Sequence, residues 1–394
     1  MRVIAILIAS ALVLGSFEWD QAASRETTAD ERTTPKPPKL DAAAWALVDA
    51  DTGIYLAGKS PDERLPIAST TNVMTALVAL DEANLDEEVA VTPQAERYVG
   101  PVYSNVGLIQ GERLSIRELL KASLIPSATE AVYTLAEHLG GGSVEAFVED
   151  MNQKADSMGL KKTHFEDPAG LDKRNYYSSA RDLATMARAA MNYPTFAEIV
   201  DTEQDTVTTQ NRVIEFFNTN NLLYTYPPAD GVKTGTSPAA GPCLVASATE
   251  GDESYIAVVL GAAGEDYRFD AARTALEYGF ESFDRKPLVR NGAVYKEIQP
   301  PFRREESVGL VAAKAVPGPS GPGLEVVRRV TLERRPPSAK TGQQLGTLEV
   351  IVDGESVGST PLVTKRGYEE ASLWAKAQYA AVWPADRLWA WFLG

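Results

Sequence analysis

Histidine and cysteine are almost missing from this chain: 394 residues hold only His138, His164 and Cys243. A single cysteine excludes an internal disulfide, a thiolate zinc cluster and a CxxC redox pair. Two histidines, neither in an HExxH spacing, are too few for a multi-histidine metal site, so neither metal nor cofactor is expected. Basic residues are also in deficit, with 38 Lys and Arg against 54 Asp and Glu and a formal charge of −16. Nucleic acid is not expected as a partner, because a phosphate backbone needs clustered cations. What is present is a 44% hydrophobic fraction, enough for ordinary cores. The length suggests two or three domains of roughly 100–200 residues each. If the chain is an enzyme, its chemistry falls to Ser, Lys, Asp or Glu.

The ends point to where it works. An apolar run from Val3 to Gly15 follows Met1-Arg2, and it is too short to cross about 30 Å of hydrocarbon. One early charge, a short apolar core and the small Gly15-Ser16 pair read as a signal peptide over 1–20, and hence secretion across the cytoplasmic membrane. A buried N-terminal helix is the alternative. Residues 21–40, rich in Thr, charge and Pro, read as a disordered linker. At the other end Trp374, Trp383, Trp389 and Trp391 crowd into the last stretch, where Pro384 breaks a spanning helix. Residues 371–394 therefore read as an amphipathic tail lying on a membrane surface, or as a terminal helix packed on the preceding domain.

Between them the pattern is α+β. Residues 42–59 place two apolar runs around Asp51-Thr52-Gly53, a hairpin signal. LPIASTTNVMTALVAL reads as a small-residue turn opening into a buried helix, and 114–139 as two helices broken at Pro126. Two more helices follow, one ending at Gly159 and one capped by Ser and stopped by Pro194. Strands return between Asp230 and Leu260, so strands at both ends of 41–285 should share one antiparallel sheet. Residues 286–370 read as a small all-β domain, with Asp353-Gly354 as a tight hairpin turn.

Three short motifs bear on chemistry: Ser69-Thr70-Thr71-Asn72 opening a helix, Ser127-Ala128-Thr129 at the helix break, and Lys233-Thr234-Gly235 on a strand. The last matches the K-T-G element of penicillin-interacting serine enzymes, whose other elements are S-x-x-K and S-x-N. The flanking text, such as DADTGIYLAGKSPDERLPIAST and NTNNLLYTYPPADGVKTGTSPAAGPCLVASA, resembles the D-alanyl-D-alanine carboxypeptidases, the low-molecular-mass penicillin-binding proteins, segment by segment from about 42 to 285. GTLEVIVDGESVGSTPLV resembles their C-terminal β-domain. The resemblance implies a transpeptidase/β-lactamase-like domain, an antiparallel sheet flanked by helices, acting on peptidoglycan D-Ala-D-Ala stem peptides and open to β-lactams. It further implies Ser69 as the acyl-enzyme nucleophile and Ser127 as a proton relay. Lys233 and Thr234 would hold the terminal carboxylate, and the Gly235 strand would take the substrate backbone edge-on.

Two of these motifs depart from the family pattern. Asn72 stands where the general-base lysine is expected, and a carboxamide has no useful basicity near neutral pH. Thr129 replaces the substrate-holding asparagine, and Ala169 replaces a commonly polar residue in DPAGL. Three base routes remain open: Ser127 relaying to Lys233, Glu130, or Glu166. The bland readings make Ser69 and Ser127 helix caps, Lys233 a solvated charge, Cys243 a buried small hydrophobe and both histidines structural. Activity impaired by Asn72 and Thr129 is expected, with a catalytically inactive peptide-binding protein as the alternative. A β-lactamase or esterase would need an efficient deacylating base, and none stands out.

Overall fold

The computed structural model describes residues 23–26, 36–303, 305–333 and 335–379. The expected signal peptide and the tail beyond residue 379 lie outside them. The described residues form two compact units, one from Lys36 to Pro287 with Pro317–Leu324, the other from Ala23–Glu26, Leu288–Val316 and Glu325 onward.

The first unit is built on a five-stranded antiparallel sheet. In chain order its strands are β1 (Ala42–Asp49), β2 (Tyr55–Lys59), β3 (Ala229–Ser237), β4 (Gly241–Glu250) and β5 (Glu253–Ala262), and in space they run β2-β1-β5-β4-β3. The central strands read as continuous apolar runs because both sheet faces are covered. Ala44, Ala46, Val48, Ile256, Val258 and Leu260 enter the main core. The alternate side chains of Leu47 and Tyr255 instead meet Gly279 on the helix Tyr267–Ser282. β3 is left at the edge of the sheet.

Five helices fill the chain between β2 and β3: α1 (Asn72–Glu82), α2 (Ile116–Leu124), α3 (Thr129–Leu139), α4 (Val144–Ser157) and α5 (Ala180–Met191), with shorter turns between them. The Tyr267–Ser282 helix is α6. Some of these starts have a local cause. Ser115 and Glu118 close a reciprocal capping box on α2, and Ser179 accepts the Asp182 amide at 3.2 Å to start α5. Pro194 does not itself end α5, which stops at Met191; it opens the next short helix, Pro194–Val200, where its missing N–H costs nothing. A ribbon pairing Gln204–Thr208 with Val213–Phe217 went unread in the sequence, its two strands being short and half-exposed.

The second unit is β-rich, and all β as far as residue 370. Its main sheet orders Ala23–Glu26, Val326–Leu332, Gln344–Val352, Glu355–Thr364, Val308–Ala312 and Val294–Ile298. Asp353 (φ +48) and Gly354 (φ +87) make the hairpin turn as expected. Ala23–Glu26, inside the expected linker, pairs antiparallel with Val326–Leu332, a backbone pairing that needs no apolar pattern. The chain turns helical again at 373–379, where Leu373 and Trp374 are exposed. No helix among the described residues is long and apolar enough to cross a membrane.

Candidate active site

Ser69 sits in a 3-10 turn, Ala68–Thr71, that runs directly into α1. Ala68 before it has φ +47, a left-handed conformation that costs an L-residue roughly 1–2 kcal/mol. The surroundings enforce it. The Ala68 carbonyl accepts from Thr71 Oγ1 at 2.9 Å and from the Tyr176 hydroxyl at 2.8 Å, and those two hydroxyls bond to each other. Below the turn lies the 166–172 loop. Gly170 (φ +81) approaches so closely that a Cβ there would fall 2.0 Å from the Ala68 oxygen. Asp167 shapes this loop by accepting the Ala169 and Leu171 amides at 2.8 and 3.0 Å and the Tyr133 hydroxyl.

Ser127 follows Pro126 with φ +67, a second strained non-glycine residue at a motif serine. Strain of this kind collects at functional sites. Neither serine is a helix cap: α1 is preceded by Thr71 and α3 by Ala128, and neither end has a side-chain cap. Ser127 Oγ is buried without a partner.

The three motifs close on one another through three contacts. Asn72 Nδ2 donates to the Ser123 carbonyl at 2.9 Å, tying α1 to the segment before Ser127. Thr219 bridges that segment to β3: its amide donates to the Ile125 carbonyl at 3.2 Å and its hydroxyl shares a 2.6 Å bond with Thr234 Oγ1. Gly235 then meets the Ser69 turn. A Cβ at 235 would lie 2.9 Å from Ile67 O, 3.0 Å from Thr70 N and 3.1 Å from Ser69 N, so only glycine allows the approach.

Asn72 is 2% exposed, and with its amide spent on Ser123 its Oδ1 has no partner. Thr129 heads α3 with its amide bonded to the Ser104 carbonyl at 2.9 Å. Lys233 is 1% exposed and donates to the Thr234 carbonyl at 3.0 Å, so it is not a solvated charge. Burial, and then the Arg268 charge, pull its amine down to about 7.

The two carboxylates considered as bases are placed differently. Glu166 is exposed and accepts the Asn175 amide at 3.4 Å within its own loop. Glu130 is fully buried, with Oε1 collecting the Val106, Gly107 and Leu108 amides. Desolvation raises its pKa, and its Oε2 lacks a partner. Cys243 is buried opposite Gly235 in the register, its thiol pushed up to about 11 by burial. His138 pairs with Glu87 at 3.0 Å, while the His164 backbone bridges to Tyr177.

Sequence reasoning missed Arg268. Its Nη1 donates to the Gly235 carbonyl at 3.1 Å and to Thr236 Oγ1 at 2.7 Å, while Nη2 pairs with Glu265 at 3.0 Å. A signal existed: Arg268 shares the apolar stripe of α6 with Ala272, Ala275 and Gly279. Thr219 and Tyr176 gave no comparable signal.

The model of the D-alanyl-D-alanine carboxypeptidase family matches residues 31–264, well over half of the chain. The chain belongs to the D-alanyl-D-alanine carboxypeptidase family. A second model, the C-terminal domain of penicillin-binding protein 5, matches residues 283–370. The carboxypeptidase DacF of Bacillus subtilis is 32% identical over 84% of this chain and 87% of that protein. DacC of Escherichia coli is 32% identical over 87% of this chain and 88% of that protein. Among solved structures, penicillin-binding protein 5 of Haemophilus influenzae aligns over 85% of this chain and 100% of its own, at 30% identity and a TM-score of 0.68. The Streptomyces K15 DD-transpeptidase aligns over 63% of this chain and 100% of its own, at 35% identity and a TM-score of 0.60. The carboxypeptidase-family fold thus accounts for both the α+β unit and the β-rich one.

Proposed function

We propose that this chain is a serine-type D-Ala-D-Ala carboxypeptidase of reduced turnover, working through an acyl-enzyme on Ser69. The contact between Gly235 and the Ser69 turn carries this reading. β3 is an edge strand, and an extended stem peptide adding to it by main-chain hydrogen bonds would run past Ser69. Lys233, Thr234 and Arg268 supply the cationic and hydroxyl groups suited to a terminal carboxylate beside that edge. Turnover is reduced because Asn72 cannot deprotonate Ser69, and a missing general base typically costs about 10²–10⁴-fold. Thr129 retains a hydroxyl but lacks the two-way hydrogen bonding of an amide, which weakens the hold on the substrate.

One observation favours a second reading. With Asn72 Nδ2 committed to Ser123, no basic side chain occupies the first turn of α1, and the chain would then bind cell-wall peptide without cleaving it. Fluorescent penicillin and a stem-peptide mimic separate the two. A covalent adduct lost in Ser69→Ala, with slow release of D-Ala, is the outcome expected of the enzyme. Reversible mimic binding without an adduct is the outcome expected of the binding protein.

The site of action follows from the same reading: secretion through the 1–20 signal, a spacer over 21–40, and peripheral attachment by 371–394, with Leu373 and Trp374 already exposed where that tail begins. The carboxypeptidase-like domain is assigned to 41–285 and the β-domain to 286–370. Deleting 371–394 should abolish lipid-vesicle binding. Unchanged binding would move the attachment elsewhere.

A further inference from the structure

We infer that Lys173 and Arg174 form a carboxylate subsite of the cleft, selecting stem peptides with an acidic residue immediately before the D-Ala-D-Ala pair. The inference rests on the peptide path along β3 proposed above, which the enzyme and the binding protein share. Three observations carry it. First, the loop bearing the two cations is tied to the end of β3. Asp172 accepts the Ser237 hydroxyl at 2.6 Å and the Ala239 amide at 3.1 Å. Second, the same loop is tied on either side of them to the nucleophile turn. Gly170 approaches the Ala68 carbonyl, and the Tyr176 hydroxyl donates to it at 2.8 Å. Cations, strand end and Ser69 turn therefore keep a fixed relation. Third, Lys173 and Arg174 are exposed, and neither side chain has an ion pair or hydrogen bond among the described residues.

The direction of the peptide brings an upstream carboxylate to this loop. With its terminal carboxylate at Lys233 and Thr234 and its scissile carbonyl beside Gly235 and Ser69, an extended peptide runs antiparallel to β3. Each residue advances about 3.3 Å, so the one before the D-Ala pair passes Thr236 and Ser237. Ser237 is bonded to Asp172, the residue next to Lys173. A side-chain carboxylate there would meet an ammonium and a guanidinium, both donors of charge-assisted hydrogen bonds.

None of the neighbouring carboxylates pairs with the two cations. Asp167 takes the Tyr133 hydroxyl and the Ala169 and Leu171 amides, and Glu166 takes the Asn175 amide. Glu265 is bonded to Arg268 and Thr236. The chain as a whole, at −16, repels an acidic peptide. A local cation pair at the end of the path offsets that repulsion, and it also turns away a peptide with a cation in the same place.

The test is the affinity of the full chain, carrying Ser69→Ala to block turnover, for two acyl-blocked tripeptides ending in D-Ala-D-Ala. One has L-Glu before the pair and the other L-Gln. The Glu peptide should bind about 3- to 10-fold more tightly at low salt, the effect of two exposed ion pairs. The preference should fade toward about 1 M salt, where the screening length is about 3 Å. Lys173→Gln with Arg174→Gln should bring the ratio of the two Kd values close to unity. Lys173→Glu with Arg174→Glu should invert it, and Lys173→Arg with Arg174→Lys should keep it. The ratio divides out any loss common to both peptides, so damage to the loop alone does not move it. Equal Kd values without the loop substitutions, or a Glu preference that survives the double Gln variant, overturn the subsite. A penicillin adduct on Ser69 of the wild type would then leave the acyl-enzyme standing. Failure to bind either peptide overturns the subsite and the path along β3 together.

Discussion

Gly170→Ala isolates the packing that shapes the nucleophile. A methyl group at 170 would sit 2.0 Å from the Ala68 oxygen and 2.8 Å from Thr71 Oγ1, and the first of these is backbone that no rotamer change can move. The substitution also places alanine at φ +81. The two costs can be separated, because Gly159 has φ +73 in open space after α4. Gly159→Ala should cost only the left-handed penalty of roughly 1–2 kcal/mol. Gly170→Ala should cost that plus about 1–3 kcal/mol for forcing an overpacked contact. Urea unfolding of both variants, with m-values held in common, gives the difference directly. Relief can come only by pushing the 166–172 loop off the Ser69 turn, so β-lactam acylation should fall in Gly170→Ala and stay at wild-type level in Gly159→Ala. If both variants lose the same stability, the loop does not buttress Ala68 as described.

Arg268→Leu removes two hydrogen bonds from a charged donor and leaves Glu265 without its ion partner. It should lower stability by roughly 1.5–3 kcal/mol in urea unfolding. The same change removes a positive charge that depresses Lys233, so the ionisation of that amine should move to higher pH. Asn72→Lys with Thr129→Asn should raise the acylation rate by at least about tenfold, as a base adjacent to Ser69 is restored; an inert double variant would mean the defect lies elsewhere. Stability should also carry the Lys233 signature. Its folded pKa is depressed to about 7, so between there and the unfolded value near 10.4 the unfolded chain binds more protons. Stability from this group therefore rises with pH across that window and is lowest below it. Lys233→Met should remove that rise, gaining on wild type most at pH 6.

The elements that sequence patterning located well were those whose signal is local. The β1–β2 hairpin, the break at Pro126, the Ser179 cap and the Asp353-Gly354 turn each follow from residues within a few positions of one another. The motif residues were legible because Ser69, Ser127 and Lys233-Thr234-Gly235 keep their type and context. What joins them was not. Thr219 reaches Ile125 across 94 positions and Thr234 across 15, and Tyr176 reaches Ala68 across 108. Hydroxyl bonds at such separations leave no periodicity behind. Strain at Ala68 and Ser127 was equally silent, since alanine and serine carry no preference for positive φ. The burial of Glu130 was also silent: nothing about a charged residue early in a helix signals that three backbone amides will draw it inside.

The distribution of energetic costs bears on whether the cleft still has a ligand. Two left-handed non-glycine residues, an orphan Asn72 Oδ1, an orphan Ser127 Oγ and a buried Lys233 bonded only to a carbonyl all lie in or directly beside the three motifs. Each strained or unpaired group of this kind costs about 1–3 kcal/mol. A domain serving only as scaffold would gain stability by relaxing any one of them, and apolar residues at 72, 127 or 233 would do so. Clustering of such costs is the pattern expected where the missing partners arrive with a bound peptide: a carbonyl for the strand edge and a carboxylate for the cations. Ser127→Ala should raise or leave unchanged the stability of the free protein, whereas Asn72→Leu also gives up the bond to the Ser123 carbonyl; both should weaken the binding of a stem-peptide mimic. If both variants lose stability without any loss of binding, these groups serve the fold alone, and the claim that the cleft is kept for a ligand fails.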